Sequence, residues 1–388
     1  MAAGIHTNKK DLAVVKVLHL IRTYGNHGGE NQLLRLFMEN SGKEAEEGLA
    51  MFYRDDCESG FRQVAGLEVY TLMPFGLSPR RCLFWELMIL GLILPALWIS
   101  FALCLRRSRP EIVITHNVQS LMVAWPFAMV LRKKKFAYIH RALKRKRKTD
   151  SILAWLYRPF RLVGGNSESV KESMKGMTKP SQLFALTNGI PIQPLPGWFG
   201  TKNNSPLVAI FVGRLIGIKC VSFILQTMAF ALRKGVNITL HIHGEGPERS
   251  ELEKVVSDLH IKDSITLHGK TDGIRNALLR ADIFLFASEA EGMSNAVLEA
   301  MEAGLPSVVV DAPGVTECHI SDETAFVVDR DLEAMACSIH KLADDPDLRS
   351  RMGQAARRRV KQEYSMAANR RRYLDLYQNL ASGPTMEM

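Results

Sequence analysis

The chain has 388 residues, 47% apolar and 23% charged, which excludes a disordered or fibrous protein and leaves room for two cores of ordinary size. Its net charge of +10 is unevenly placed, with 28 basic and 15 acidic side chains in residues 1–195 and 22 and 25 in the remainder. Six scattered cysteines (Cys57, Cys82, Cys104, Cys220, Cys318, Cys337) show no C-x-x-C pair and no zinc-ligand spacing, so reduced thiols in a cytoplasmic compartment are expected, without disulfides or structural metal.

The first residues lack a long apolar core with a cleavage site, and VVKVLHLI (14–21) predicts a first strand rather than a signal peptide. GNHGGENQLLRLF (25–37) follows, with Gly28 and Gly29 at the start of a helix, where backbone amides can approach a phosphate closely; an ordinary tight turn is the competing reading. LEVYTL (67–72) predicts a further strand.

The segment 82–105 holds a run without a charged residue, 87–105, long enough to be scored as a membrane span. It lies between two strands of one sheet, however, and spanning would place successive strands on opposite sides of the bilayer. Pro95 and the flanking Arg80, Arg81, Arg106, Arg107 and Arg109 instead suggest a membrane-associating helix docked in the cytoplasmic leaflet, with a buried crossover helix as the alternative.

EIVITH (111–116) and FAYIH (136–140) predict two more strands, closed by His116 and His140, positions where ligands meet a doubly wound sheet. Around them, 106–148 carries 13 basic residues and one acidic, including RKKK (132–135) and KRKRK (144–148). The stretches 82–109 and 132–148 are therefore expected to meet an anionic membrane surface, with the protein peripheral or monotopic. No aromatic or groove-reading module accompanies the charges, so no nucleic acid is expected.

A Pro/Gly-rich linker (188–206) precedes a second set of strands: LVAIFVG (207–213), NITLHIHG (237–244), SITLHG (264–269), DIFLFAS (282–288) and PSVVVD (306–311). The fold class is thus α/β with two parallel-sheet domains, 1–190 and 191–362, and a helical segment, 363–388, placed to cross back to the first. Arg214 and Lys219 follow the strand 207–213 within one loop, which fits a diphosphate clamp, with ordinary surface solvation as the competing reading. In EGMSNAVLE (291–299), Glu291 and Glu299 flank a helix start, where free amides near Gly292, Met293, Ser294 and Asn295 suit a phosphate and a carboxylate suits a sugar diol.

The elements VGRL with Lys219, HGEGPERSELE (243–253), ITLHG (265–269), the run 281–314 and AFVVD (325–329), in this order over about 120 residues, resemble the donor domain of family 4 glycosyltransferases. The resemblance implies a GT-B fold of two Rossmann-like domains facing a cleft, and a retaining, hexosyltransferase-type enzyme that needs no protein nucleophile and no metal. It implies that Arg214 and Lys219 neutralise the diphosphate, that Glu299 takes the ribose and that Glu291 contacts the transferred sugar. Gly244, Gly246, Gly269 and Lys270 would lie near the base, with a UDP-sugar favoured over a GDP-sugar. Gly28 and Gly29 match the first-loop pattern, His140 the histidine beside the donor sugar and His116 a second histidine on the acceptor side.

Cys220 stands where the family commonly has Gly, and Glu245 where Asp is common. The D-x-D strings at Asp329–Asp331 and Asp345–Asp347 fit loop and cap roles rather than a metal site. The acceptor is expected to be a lipid-linked sugar or glycan in polysaccharide or glycolipid synthesis. The alternatives are a sugar-nucleotide epimerase of the same fold and a basic-patch protein that binds nucleic acid or membrane.

Overall fold

The computed structural model describes residues 14–23, 28–39, 45–54, 57–73, 83–131, 135–141, 143, 150–196 and 206–382, with 83–92 as backbone alone. Residues 132–134 and 144–148, which hold most of the two basic runs, lie outside them, as do Cys82 and much of the linker.

Short β-branched runs form strands wherever both faces of a sheet are to be covered by helices. In the first domain these are β1 (Val15–Ile21), β2 (Ala45–Met51), β3 (Glu68–Thr71), β4 (Ile112–Thr115), β5 (Lys135–His140), β6 (Leu162–Gly165) and β7 (Leu183–Ala185), all parallel in the order β3-β2-β1-β4-β5-β6-β7. The second domain holds β8 (Leu207–Val212), β9 (Ile238–His243), β10 (Ile265–Gly269), β11 (Ile283–Phe286), β12 (Ser307–Val310) and β13 (Ala325–Val328), in the order β10-β9-β8-β11-β12-β13. Strand order reverses between β1 and β4 and again between β8 and β11. Each reversal opens a crevice at the strands' carboxyl ends, the place where such sheets bind ligands.

The helix Leu83–Ser108 makes the crossover between β3 and β4. Leu97, Phe101, Cys104 and Leu105, at helical spacing, pack onto the sheet, while Ile99 and Leu103 remain 64% and 62% exposed. It is a crossover helix, as one of the two sequence alternatives has it, and it keeps an apolar outer face. Among the described residues no helix is long and apolar enough to cross a membrane.

The helix Met366–Ser382 packs Tyr373, Leu376, Tyr377 and Leu380 against Val17, Ile21, Ile112 and Ile114 of the first domain. Its final carbonyls accept from Lys135 and Arg161, cations suited to the negative end of a helix dipole. Where it departs from the second domain it pairs with the outgoing linker: Ile190 N donates to Tyr364 O and Met366 N to Ile190 O, each at 2.9 Å.

One ion pair fastens this helix from below. Glu47 on β2 is buried and accepts from Arg370 Nη1 at 2.7 Å and from Tyr377 Oη at 2.5 Å. Burial alone would raise the Glu47 carboxyl, but the neighbouring His19, then the charge of Arg370 and the Tyr377 hydrogen bond, hold it below its usual value, so it stays ionised. Removing the cation strands that charge. Arg370→Met should cost about 3–5 kcal/mol and lower the thermal midpoint, whereas Arg370→Lys should keep part of the loss back; equal midpoints for wild type and Arg370→Met would contradict the pairing.

Candidate donor site

The loop after β8 carries Arg214 and Lys219. It is zipped to the loop after β9 by Gly213 N to His243 O at 3.0 Å and Leu215 N to Glu245 O at 2.9 Å. This approach is so close that a Cβ on Gly244 (φ +155°) would overlap Gly213 O and one on Gly246 would overlap Leu215 O. These two glycines therefore build the clamp loop from beneath. Cys220 sits at φ 49° and ψ 44°, left-handed, which explains why glycine is common there and places a modest strain at this residue. Glu245 accepts from Arg249 at 2.6 Å and keeps its loop in register.

The loop after β11 closes on the first. Glu289 N and Ser288 Oγ donate to Ile218 O at 2.9 and 3.0 Å, and Lys219 Nζ forms an ion pair with Glu291. The side chains of Lys219 and Glu291 are 14% and 15% exposed, so their attraction is only partly screened. Lys219 also stands 5.2 Å from the Phe286 ring centroid. Arg214 is exposed on the same loop, and Lys270, after Gly269, is exposed at the end of β10. Ser294 precedes the helix Asn295–Glu302 without a side-chain cap bond, so the first amides of that helix remain available to an anion.

The first domain meets these loops directly. A Cβ on Gly292 would overlap Arg141 O and crowd Asn166 Oδ1, so glycine alone lets the Glu291 loop abut the other domain. Met293 is buried, with its Sδ 3.1 Å from Asn188 N. Asn295 Oδ1 accepts from Gln32 at 3.0 Å and Asn188 at 2.9 Å, and Glu299 accepts from Arg35 at 3.1 Å. Further along, Glu317 accepts from Ser169 N and Oγ, both at 3.0 Å.

Gly28 and Gly29 begin the helix Gly28–Met38, and Gly29 lies against the Arg141 side chain. His140 ends β5 half-buried, its Nδ1 2.6 Å from Tyr138 Oη. His116 is deeper: 2% exposed, with Arg141 Nη2 donating to its Nδ1 at 3.2 Å and His19 Nδ1 2.8 Å from its Nε2. In this geometry His116 supports Arg141 from within the domain rather than facing an acceptor. An arginine only donates, so His116 accepts at Nδ1 and must carry its proton on Nε2; His19 then accepts at Nδ1 and donates from Nε2 to Tyr377 Oη at 3.0 Å. Burial first, then Arg141 and His19, pushes His116 well below the usual histidine range, and burial lowers His19 too.

Arg141, Arg35, Gln32 and Asn188 escape the sequence reading. Nothing local singles out Arg35 or Gln32, because their partners lie on a helix of the other domain. Asp331 and Asp345 cap the helices Leu332–Asp344 and Pro346–Glu363 through Ala334 N and Leu348 N. Among the described residues no group of three or more His, Cys, Asp or Glu could hold a metal ion. A groove of about 540 Å³, lined by His241, His243, His268, Thr271, Asp272 and Asn276 among others, runs from the ends of β9 and β10 down the sheet.

Residues 198–359 match the family model described as glycosyl transferases group 1. An alpha-D-kanosaminyltransferase of Streptomyces kanamyceticus is 30% identical over 165 residues, 42% of this chain and 42% of that protein. The lipopolysaccharide core biosynthesis glycosyltransferase LpsD of Rhizobium meliloti is 28% identical over 171 residues, 44% and 49%. The capsular polysaccharide biosynthesis glycosyltransferase CapM of Staphylococcus aureus is 25% identical over 224 residues, 51% and 56%. The matches span about half the length of these curated relatives. Among solved structures, Anabaena HepE in complex with UDP superposes with a TM-score of 0.76 at 16% identity, covering 94% of this chain and 100% of that one. The fold is GT-B, two Rossmann-like domains with parallel sheets.

The buried histidines set a pH dependence. Because His19 and His116 are lowered in the folded chain, the unfolded chain takes up protons they refuse, and stability falls as pH drops through 6.5. Glu47, also lowered, acts only below its unfolded value of 4.5. Urea midpoints between pH 7.5 and 5.5 should therefore fall less steeply for His116→Gln than for wild type; parallel slopes would show that His116 titrates normally.

Proposed function

We propose, from the match of residues 198–359 to the model of group 1 glycosyl transferases, that this chain is a retaining hexosyltransferase moving a sugar from a UDP-sugar to a lipid-linked sugar or glycan. The observation that carries this reading is the joining of Lys219 to Glu291 at the β8/β11 crevice, with Arg214 on the same loop and an uncapped helix start beside them. A diphosphate resting there meets two cations and a row of amides; a sugar beyond it meets Glu291 and, from the other domain, His140.

Breaking the sugar–phosphate bond leaves charge on the diphosphate, and Arg214, Lys219 and the helix start stabilise that charge without reorganising. Departing phosphate oxygen and acceptor hydroxyl share one face of the sugar, so the leaving group can take the hydroxyl proton and configuration is kept. Glu299 holds the ribose. Metal is not required in this scheme, since the cations are supplied by the chain.

The choice of uridine is supported by the solved complexes of HepE with UDP and UDP-glucose, and the choice of acceptor by relatives named for lipopolysaccharide core and capsule synthesis. A station at the cytoplasmic face of a membrane is supported by the outer side of three adjoining helices, Leu83–Ser108, Val118–Val130 and Asp150–Tyr157. There Ile99, Leu103, Val130, Ile152 and Trp155 are exposed beside Arg106 and Arg107. Exposed apolar side chains together with cations suit an anionic bilayer surface.

Thermal protection across nucleotide diphosphates and their sugars should single out the uridine series. With the donor so identified, Glu291→Gln should lower turnover by roughly 10²-fold, and Arg214→Ala or Lys219→Ala should weaken donor binding as well; EDTA should change nothing. Wild-type turnover in all three variants would remove the site assignment. Sedimentation with anionic but not neutral liposomes is expected, reduced by Leu103→Glu with Val130→Glu; indifference to lipid charge and to both substitutions would remove the membrane assignment.

A further inference from the structure

Two side chains of the helix Gly28–Met38 cross the cleft to the helix Asn295–Glu302. Gln32 Nε2 reaches Asn295 Oδ1 at 3.0 Å, and one turn further Arg35 Nη2 reaches Glu299 Oε1 at 3.1 Å. The partners are three apart on one helix and four apart on the other, so each helix lays a single row of contacts along its neighbour. Arg35 and Glu299 are 29% and 25% exposed, at the border between protein and cleft.

Glu299 thus meets a cation from the opposite domain at the very group assigned to the ribose. An ionised carboxylate has about four acceptor positions, and one guanidinium N–H uses one of them. The contact leaves acceptor capacity for two hydroxyls while removing rotamer freedom that a lone glutamate would lose on binding. Arg35 Nη1 is buried without a hydrogen-bond partner, so the guanidinium is held in place at some cost, and the helix-to-helix contact is what keeps it there.

We propose that Arg35 is a positioning residue for the donor: resting on the donor-site reading above, it fixes the Glu299 carboxylate for the ribose diol from across the cleft. Donor binding and domain closure then share one carboxylate, and by linkage each favours the other. Arg35 touches no reacting atom in this role and acts through Glu299 alone.

The test is calorimetric titration of uridine diphosphate and 2′,3′-dideoxyuridine diphosphate into wild type, Arg35→Ala, Arg35→Lys, Glu299→Ala and the double alanine variant, with unliganded melting temperatures checking the fold of each. Arg35→Ala should weaken uridine diphosphate about tenfold, the size of one charge-assisted hydrogen bond, and leave the dideoxy nucleotide unchanged. Arg35→Lys should recover part of the loss, and the double variant should bind no more weakly than Glu299→Ala. Equal weakening of both nucleotides by Arg35→Ala, or further loss on adding it to Glu299→Ala, overturns the proposal. Wild type that binds both nucleotides equally overturns instead the ribose role of Glu299, and wild type that binds neither overturns the uridine donor, the two readings on which the proposal rests.

Discussion

A carboxylate set inside a parallel sheet has to stay paired or give up its charge, and Glu47 keeps its charge. Its cation, Arg370, arrives from a helix 323 residues further along the chain, and that helix also brings Tyr373 and Tyr377. From there contact runs without a break: Tyr377 to His19, His19 to His116, His116 to Arg141, and Arg141 O to Gly292 in the loop after β11. The C-terminal helix is therefore part of the scaffold beneath the cleft, and its ion pair decides how firmly the first domain presents Arg141.

On the other side of the cleft the deciding quantity is close backbone approach. Four loops, after β8, β9, β11 and β12, are drawn together by hydrogen bonds to Leu215, Ile218, Glu245 and Pro313, and glycines at 244, 246 and 314 yield the space. The result divides labour between two cations. Lys219 is largely covered, committed to Glu291 and shielded from salt; Arg214 stays in solvent.

Much of this was legible in the sequence because it is local. Strand periodicity located four of the first seven strands and five of the next six, and motif order marked Arg214, Lys219, Glu291 and Glu299. What escaped is what depends on distance. β2 reads AEEGLAM, too acidic for a buried strand until Arg370 is known to sit opposite Glu47. Gln32, Arg35 and Arg141 have partners on elements remote in sequence, so no spacing could announce them. Gly244 and Gly246 were marked for a nucleotide base, and the structure gives them a reason to be glycine, the support of the clamp loop, that no ligand needs to supply.

The chain passes between its domains twice, and the two passages are bonded to each other where Ile190 meets Tyr364 and Met366. A single tether would act as a ball joint, free to twist as well as to open. Two tethers lying side by side act as a door hinge: swivel is suppressed, and the remaining freedom is rotation about one line. For a cleft whose halves must meet in register, Gln32 on Asn295 and Arg35 on Glu299, that restriction replaces a three-dimensional search with a single angle.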